Sequence, residues 1–163
     1  MDLLDRMLGH DRWTTDHLME MALSLSDEQL DREMDIGHRT LRKTFDHMLL
    51  ATEFWSGLMN GEPVPWEPRR ASVAEMRERH QRSYDAFEAV ARDVAASGRL
   101  DETFIDHYDY PQSYGATVLH VIDHNVQHRG EVLHFLQRLG IENIPEGDPQ
   151  EWEHMTGRIQ VTR

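Results

Sequence analysis

The sequence predicts an all-α protein, a four-helix bundle with a long crossover between the second and third helices. Four long stretches carry apolar residues at helical spacing, and none of the four contains proline. Segments with Pro and Gly separate these stretches. With 163 residues and 39% apolar side chains, the chain suits one hydrophobic core, so residues 1–163 are expected to form a single domain.

The first two helices are predicted from their apolar stripes, and the second also from the residues that follow its C-terminus. The first covers residues 2–24, with apolar positions that include Leu4, Leu8, Leu18 and Met21. The second runs from about Thr40 to Leu58. Asn60 and Gly61 follow it, and both residue types tolerate the left-handed backbone angles found at a helix C-terminus.

The crossover and the third helix follow from proline and capping signals. Pro63, Pro65 and Pro68 exclude a helix between Gly61 and Ser72, so this segment is predicted to be a crossover loop. Ser72 with Glu75 is a capping-box pattern ahead of an apolar stripe, and it predicts a helix over residues 73–96.

The last part of the chain is predicted to hold one helix between two irregular segments. Residues 101–114 lack a helical pattern, and Thr103–Ile105 is expected to be a brief extended piece without a sheet. The fourth helix is predicted over residues 116–139, ending at Gly140. Pro and Gly in the remaining tail predict irregular structure there.

Composition excludes several classes of function. Thirty acidic residues against 17 Lys and Arg give a net charge of −13, which repels phosphate backbones and argues against nucleic-acid binding. Cysteine is absent, so thiolate ligands, disulfides and a cysteine nucleophile are excluded. No signal peptide or membrane span is recognised at the N-terminus, and a cytoplasmic location without membrane association is expected.

The eleven histidines include a helical constellation suited to metal binding. His120, His124 and His128 recur every four residues on the fourth helix. Its core face is predicted to comprise Val118, Ile122, Val126, Leu133 and Leu136, flanked by Val121, Val132 and Leu139. On the helical wheel His128 lies about 20° from Val121, His124 about 60° and His120 about 100°. His124 and His128 are therefore the pair predicted nearest the core.

A metal held by two imidazoles needs a further protein ligand, and His47 is the best candidate. Its stripe on the second helix continues through Phe54 and Leu58, which predicts an inward side chain. Three imidazoles with an open position are typical of a catalytic rather than a structural site.

Other interpretations of the histidines stay open. They could serve packing or dimer contacts alone, and His10 and His17 on the first helix are expected at an interface or behind the ligands. A di-iron centre would use the Glu-x-x-His pairs Glu131–His134 and Glu151–His154, but the second pair lies in the irregular tail, which argues against it. The remaining histidines are expected to be solvated, namely His38, His80, His107 and His154.

Two of these stretches resemble helices of the DinB-like superfamily, and the resemblance covers nearly the whole chain. Residues 40–61, TLRKTFDHMLLATEFWSGLMNG, are similar to the family's second helix, whose ligand histidine falls on His47. Residues 116–131, ATVLHVIDHNVQHRGE, are similar to its fourth helix, whose ligand pair falls on His124 and His128. The region around Trp13 resembles the first helix more loosely.

The sequence departs from the family pattern at Glu131, where the family usually has Gln. Glu131 or Asp123 is expected to orient a ligand histidine. Arg129 is expected to pair with a carboxylate or an anionic ligand, and Gly130 to permit close helix packing.

The resemblance implies a metal-dependent enzyme of thiol S-transferase or hydrolase type. The expected cofactor is a divalent metal ion, Zn, Ni or Fe, held by His47, His124 and His128. A small-molecule substrate is expected, with a low-molecular-weight thiol as co-substrate, since the chain has no thiol of its own. The alternative is a non-catalytic stress protein that binds metal or a small molecule. The resemblance also suggests a homodimer, although no clean interface stripe is visible in the sequence.

Overall fold

The computed structural model describes residues 1–159, and four long helices account for most of them. In chain order the elements are α1 (Leu3–Met21), a 3-10 turn (Ala22–Ser24), α2 (Asp27–Leu30), α3 (Leu41–Asn60), α4 (Val73–Ala96), β1 (Thr103–Ile105), β2 (Pro111–Ser113), α5 (Tyr114–Arg138) and α6 (Pro149–Met155). The predicted all-α class is confirmed, and α1, α3, α4 and α5 are the four predicted helices.

The ends of the long helices follow the predicted local signals. The Thr40 side chain accepts a hydrogen bond from the backbone N–H of Lys43 at the start of α3. Gly61 ends α3 with a φ of 71°, a left-handed conformation that costs glycine little. Ser72 and Glu75 form the reciprocal capping box that begins α4.

Helices α3 and α4 run parallel, which explains the long crossover. Arg79, near the start of α4, pairs with Asp46 near the start of α3 at 2.6 Å. The chain must therefore return along the whole of α3, whose 20 residues span about 30 Å. The backbone N–H of Arg69 donates to Asp46 at 2.9 Å, so the crossover is fixed against α3 on its way back.

Helices α1 and α5 run opposite to this pair. Arg92 pairs with Asp5, and Arg77 pairs with Asp16 at 2.8 Å, so α1 lies antiparallel to α4. Helix α5 packs against both α1 and α3 and places His124 opposite His47 of α3. This arrangement puts the predicted ligand histidines on two neighbouring antiparallel helices.

The apolar core contains two clusters along the bundle. One surrounds Phe45 and Phe135, and the other surrounds Tyr84 and Phe87. The predicted core face of α5 is wrong at Val126, which is 47% exposed. The buried face of α5 is rotated because it also includes the polar side chains of Asn125, His128 and Arg129. A wheel built from apolar residues alone leaves these positions out.

A small sheet and two short helices were not predicted. β1 and β2 pair antiparallel, with Thr103 opposite Ser113, so the extended piece belongs to a small sheet after all. Helix α2 is a single turn. Helix α6 lies in the tail expected to be irregular, where Asp148 caps it and Trp152 is buried against Gly9. Short helices of this kind depend on tertiary packing, which local sequence patterns do not report.

Within residues 1–159, every helix is too short or too polar to cross a lipid bilayer.

Candidate metal centre

The structure brings the three predicted ligand histidines to one point between α3 and α5. Nε2 of His47 lies 2.9 Å from Nε2 of His124, and Nε2 of His124 lies 3.1 Å from Nε2 of His128. His128 is buried, and the other two rings are half-buried. Their ligand role stays a prediction, but their nitrogens meet as that prediction requires.

The separations fit nitrogen atoms that share one cation. Nitrogen ligands about 2.0–2.1 Å from zinc lie about 3.3 Å apart at tetrahedral angles and about 3.0 Å apart at right angles. Nε2 of a neutral imidazole carries either one hydrogen or one lone pair in the ring plane. Nε2 of His124 therefore cannot form linear hydrogen bonds to both neighbours at once, although both lie within reach. Both separations are compatible with three nitrogens placed around one cation.

Protonation of these rings is disfavoured. Burial, followed by the neighbouring histidines, lowers the pKa of His47 to about 3. Burial and the proximity of His128 and His120 lower the pKa of His124 to about 4. Both rings are therefore neutral at pH 7 and carry a lone pair that can bind a metal.

Of the two acidic residues expected to orient a ligand histidine, Glu131 contacts one, His128, and Asp123 contacts none. The Glu131 carboxylate lies 2.8 Å from Nδ1 of His128, one turn away on α5. Nδ1 then donates its hydrogen to the carboxylate, which leaves the lone pair on Nε2, the nitrogen that faces His124. Asp123 is exposed on the opposite side of the helix.

A fourth histidine, His38, lies at the same place and was expected to be solvated. One nitrogen each of His38, His47 and His128 lies within 4.8 Å of the others, and the His38 ring is half-buried. His38 belongs to the loop between α2 and α3. Helical periodicity predicts which residues share a face, and it carries no information about a histidine in a loop.

The remaining histidines do not join this cluster, although the His120 ring lies 5.9 Å from the His124 ring. His120 is exposed and packs edge-on against Trp55, with ring centroids 5.3 Å apart. His10 bonds the carbonyl of Gly147 at 2.9 Å. His17 stacks on Trp13. Neither of the two on α1 hydrogen-bonds or stacks on a predicted ligand, so the position behind the ligands is not found, and the interface alternative stays a prediction.

The prediction that His80 is solvated is wrong. Its ring is 1% exposed, and Nε2 donates to the carbonyl of Arg12 at 3.1 Å. His107 and His154 are exposed, as predicted. His134, which a di-iron centre would use, is also exposed, so the Glu-x-x-His scheme does not form.

A wall of aromatic rings borders the histidines on the crossover side. The Trp66 ring lies 5.5 Å from the His47 ring and 5.4 Å from the Phe54 ring. His107, between β1 and β2, lies 4.8 Å from Phe54. Because Trp66 is 44% exposed, this wall reaches the surface. It can pack against an apolar part of a small molecule next to the histidines.

A buried ion pair anchors α5 behind the histidines. Arg129 pairs with Asp11 of α1, which also accepts hydrogen bonds from Tyr84 and Asn125, each at 2.9 Å. Arg129 thus pairs with a carboxylate, one of its two predicted roles. The predicted packing role of Gly130 is wrong, because a Cβ there would have no neighbour within 4 Å.

Comparison with known proteins gives one family and one fold. The family model described as DinB family matches residues 1–155. Among solved structures, a DinB-like protein from Bacillus cereus ATCC 10987 aligns with a TM-score of 0.68 and 19% identity, covering 83% of this chain and 89% of that one. No protein of curated function matches the chain. At this identity the structural likeness shows the shared fold.

Proposed function

The chain belongs to the DinB family, and we propose that it binds a divalent metal ion and works as a metal-dependent enzyme of thiol S-transferase or hydrolase type. The observation that carries the proposal is the meeting of the Nε2 atoms of His47, His124 and His128. These three residues would hold the metal. Because the donors are imidazoles and the chain has no cysteine, Zn, Ni and Fe are the expected metals.

A divalent ion bound here would supply a Lewis acid that lowers the pKa of a thiol or water. Several residues of the protein would support metal binding and catalysis at this site. Burial keeps the pKa of His47 and His124 low and their lone pairs free. Glu131 holds the ring of His128 through Nδ1. Trp66 and Phe54 provide an apolar surface for the substrate beside these rings. The thiol itself would come from a small-molecule co-substrate.

The metal content of protein purified without an affinity tag tests the proposal. Elemental analysis is expected to find about one ion per chain, by analogy with three-imidazole sites. The variants His47→Ala, His124→Ala and His128→Ala should each lose it. His120→Ala is the matched control, since His120 lies on the same helix but is exposed, and it should retain the metal. Absent metal, or metal unaffected by all four changes, would leave the packing interpretation in its place.

A second candidate function is a non-catalytic protein that binds metal or a small molecule under stress. His38 favours it, because its nitrogen lies near those of His47 and His128, and a fourth protein ligand could complete a closed coordination shell. Thiol-transfer and hydrolysis assays on metal-loaded protein separate the two functions. Turnover that disappears on metal removal supports the enzyme, whereas tightly held metal without turnover supports the binding protein.

A further inference from the structure

His38 faces the same space as the predicted ligands. Its ring centroid lies 3.8 Å from that of His47 and 5.1 Å from that of His128. One nitrogen of His38 lies within 4.8 Å of a nitrogen on each of these two rings. A loop residue therefore reaches a point otherwise built from two long helices.

The loop that carries His38 is shaped to lie against α5. Gly37, just before it, has a φ of 38°, and a Cβ at this position would overlap the carboxylate of Glu131. Arg39, just after it, has a φ of 72° and closes the loop through a hydrogen bond from its N–H to the carbonyl of Ile36 at 2.7 Å. The positive φ favours glycine here, and a side chain at position 37 would require the Glu131 carboxylate or the loop to shift.

The Glu131 carboxylate contacts both His128 and the loop that carries His38. The same carboxylate oxygen that lies 2.8 Å from Nδ1 of His128 is the nearest atom to the Gly37 position. A residue larger than glycine would displace either the loop that carries His38 or the Glu131 carboxylate that holds His128. The position of His38 is therefore tied to the orientation of His128.

We infer that His38 is a fourth protein ligand of the metal, borne on a loop, and that an incoming thiol displaces it. The inference rests on the proposed metal site and adds to it the residue that occupies the substrate position at rest. Four imidazoles complete a tetrahedral shell, and removal of one opens a position.

The loop position makes His38 the ligand that can leave. His47, His124 and His128 are set on helices whose backbone cannot move without breaking helix hydrogen bonds. His38 lies outside regular secondary structure, and within residues 1–159 no hydrogen bond holds its ring. His128, by contrast, is held by Glu131. Displacement of His38 would cost ring contacts with His47 and His128 but no bundle packing.

The electronic absorption of cobalt-loaded, full-length protein tests this inference. Co²⁺ reports coordination number, because four-coordinate ions absorb much more strongly in the visible range than six-coordinate ions. His38→Ala should still bind Co²⁺, but more weakly, and its visible band should change in position or intensity because water takes the place of an imidazole. Added imidazole should restore the band of the wild type. His120→Ala should match the wild type throughout. His38→Gln, which keeps a side chain of similar size, checks that the loop itself is not the cause.

A thiol titration tests displacement. β-Mercaptoethanol should bind both proteins and produce a sulfur-to-cobalt charge-transfer band, with tighter binding in His38→Ala because no protein ligand competes. Equal Co²⁺ affinity, equal spectra and equal thiol affinity in the wild type and His38→Ala would overturn the inference. That result would leave the proposed function intact, provided that His47→Ala loses the metal. Failure of the wild type to bind Co²⁺ would instead overturn the proposed function.

Discussion

Replacement of Arg129 by methionine tests how firmly α5 is anchored behind the histidines. Arg129 is 3% exposed and pairs with Asp11, which is fully buried. Arg129→Met keeps the length and apolar stem of the side chain but leaves the Asp11 carboxylate without its cation. Breaking a buried ion pair in this way costs about 3–5 kcal/mol. Tyr84 and Asn125 still donate to Asp11, so the lower end of this range is expected.

Urea denaturation of metal-free protein, followed by far-UV circular dichroism, measures this cost. With a slope of about 2 kcal/mol per M, a loss of about 3 kcal/mol lowers the urea midpoint by about 1.5 M. Arg82→Met is the control, because Arg82 and Glu78 are 4.0 Å apart and both exposed. Its expected cost is below about 1 kcal/mol.

A double variant separates the buried charge from the loss of packing. Asp11→Asn combined with Arg129→Met removes both charges, while the amide can still accept from Tyr84. The double variant should therefore be more stable than Arg129→Met alone. A cost of Arg129→Met no greater than that of Arg82→Met would refute the view that this ion pair anchors α5.

Three further predictions concern the site and the helices around it. Glu131→Gln should weaken metal binding about tenfold, because the ligand His128 loses its charged partner. Asp123→Asn, at an exposed position, should leave metal affinity unchanged. Competition with a chromophoric chelator measures both affinities, and equal metal affinity in the two variants would contradict the expectation. Gly130→Ala should raise the free energy of unfolding by about 0.5–1 kcal/mol. Gly57→Ala should lower it, because the new Cβ would lie 2.6 Å from a backbone oxygen of the crossover. A urea midpoint that rises in both variants would be inconsistent with this packing. Burial lowers the pKa of His80, so below about pH 6.5 the unfolded chain takes up a proton that the folded chain does not, and stability falls as pH falls. His80→Gln should remove up to about 1.4 kcal/mol per pH unit of this dependence. Parallel curves of stability against pH for the wild type and His80→Gln from pH 7 to 5 would rule out this role of His80.

Local interactions made the helices predictable. The capping box at Ser72 and Glu75 and the left-handed end at Gly61 act within one turn of the chain, so sequence spacing reports them directly. The same reason applies to His124 and His128, which any α-helix places one turn apart on one side. These parts of the fold and of the candidate site were therefore available from the sequence. The homodimer and the thiol co-substrate stay predictions.

The tertiary structure decided the contacts between elements. Whether His47 meets His124 depends on the depth and rotation of two helices 77 residues apart in the chain, which packing sets. Val126 was assigned to the core because a helical wheel does not anticipate that Arg129 and Asn125 turn inward to meet a buried carboxylate. His38 joined the site because a loop folds back onto α5, and no periodic pattern describes a loop. The sequence by itself determined which side chains share a helix face, and only the packing of those helices and loops determined which of them meet.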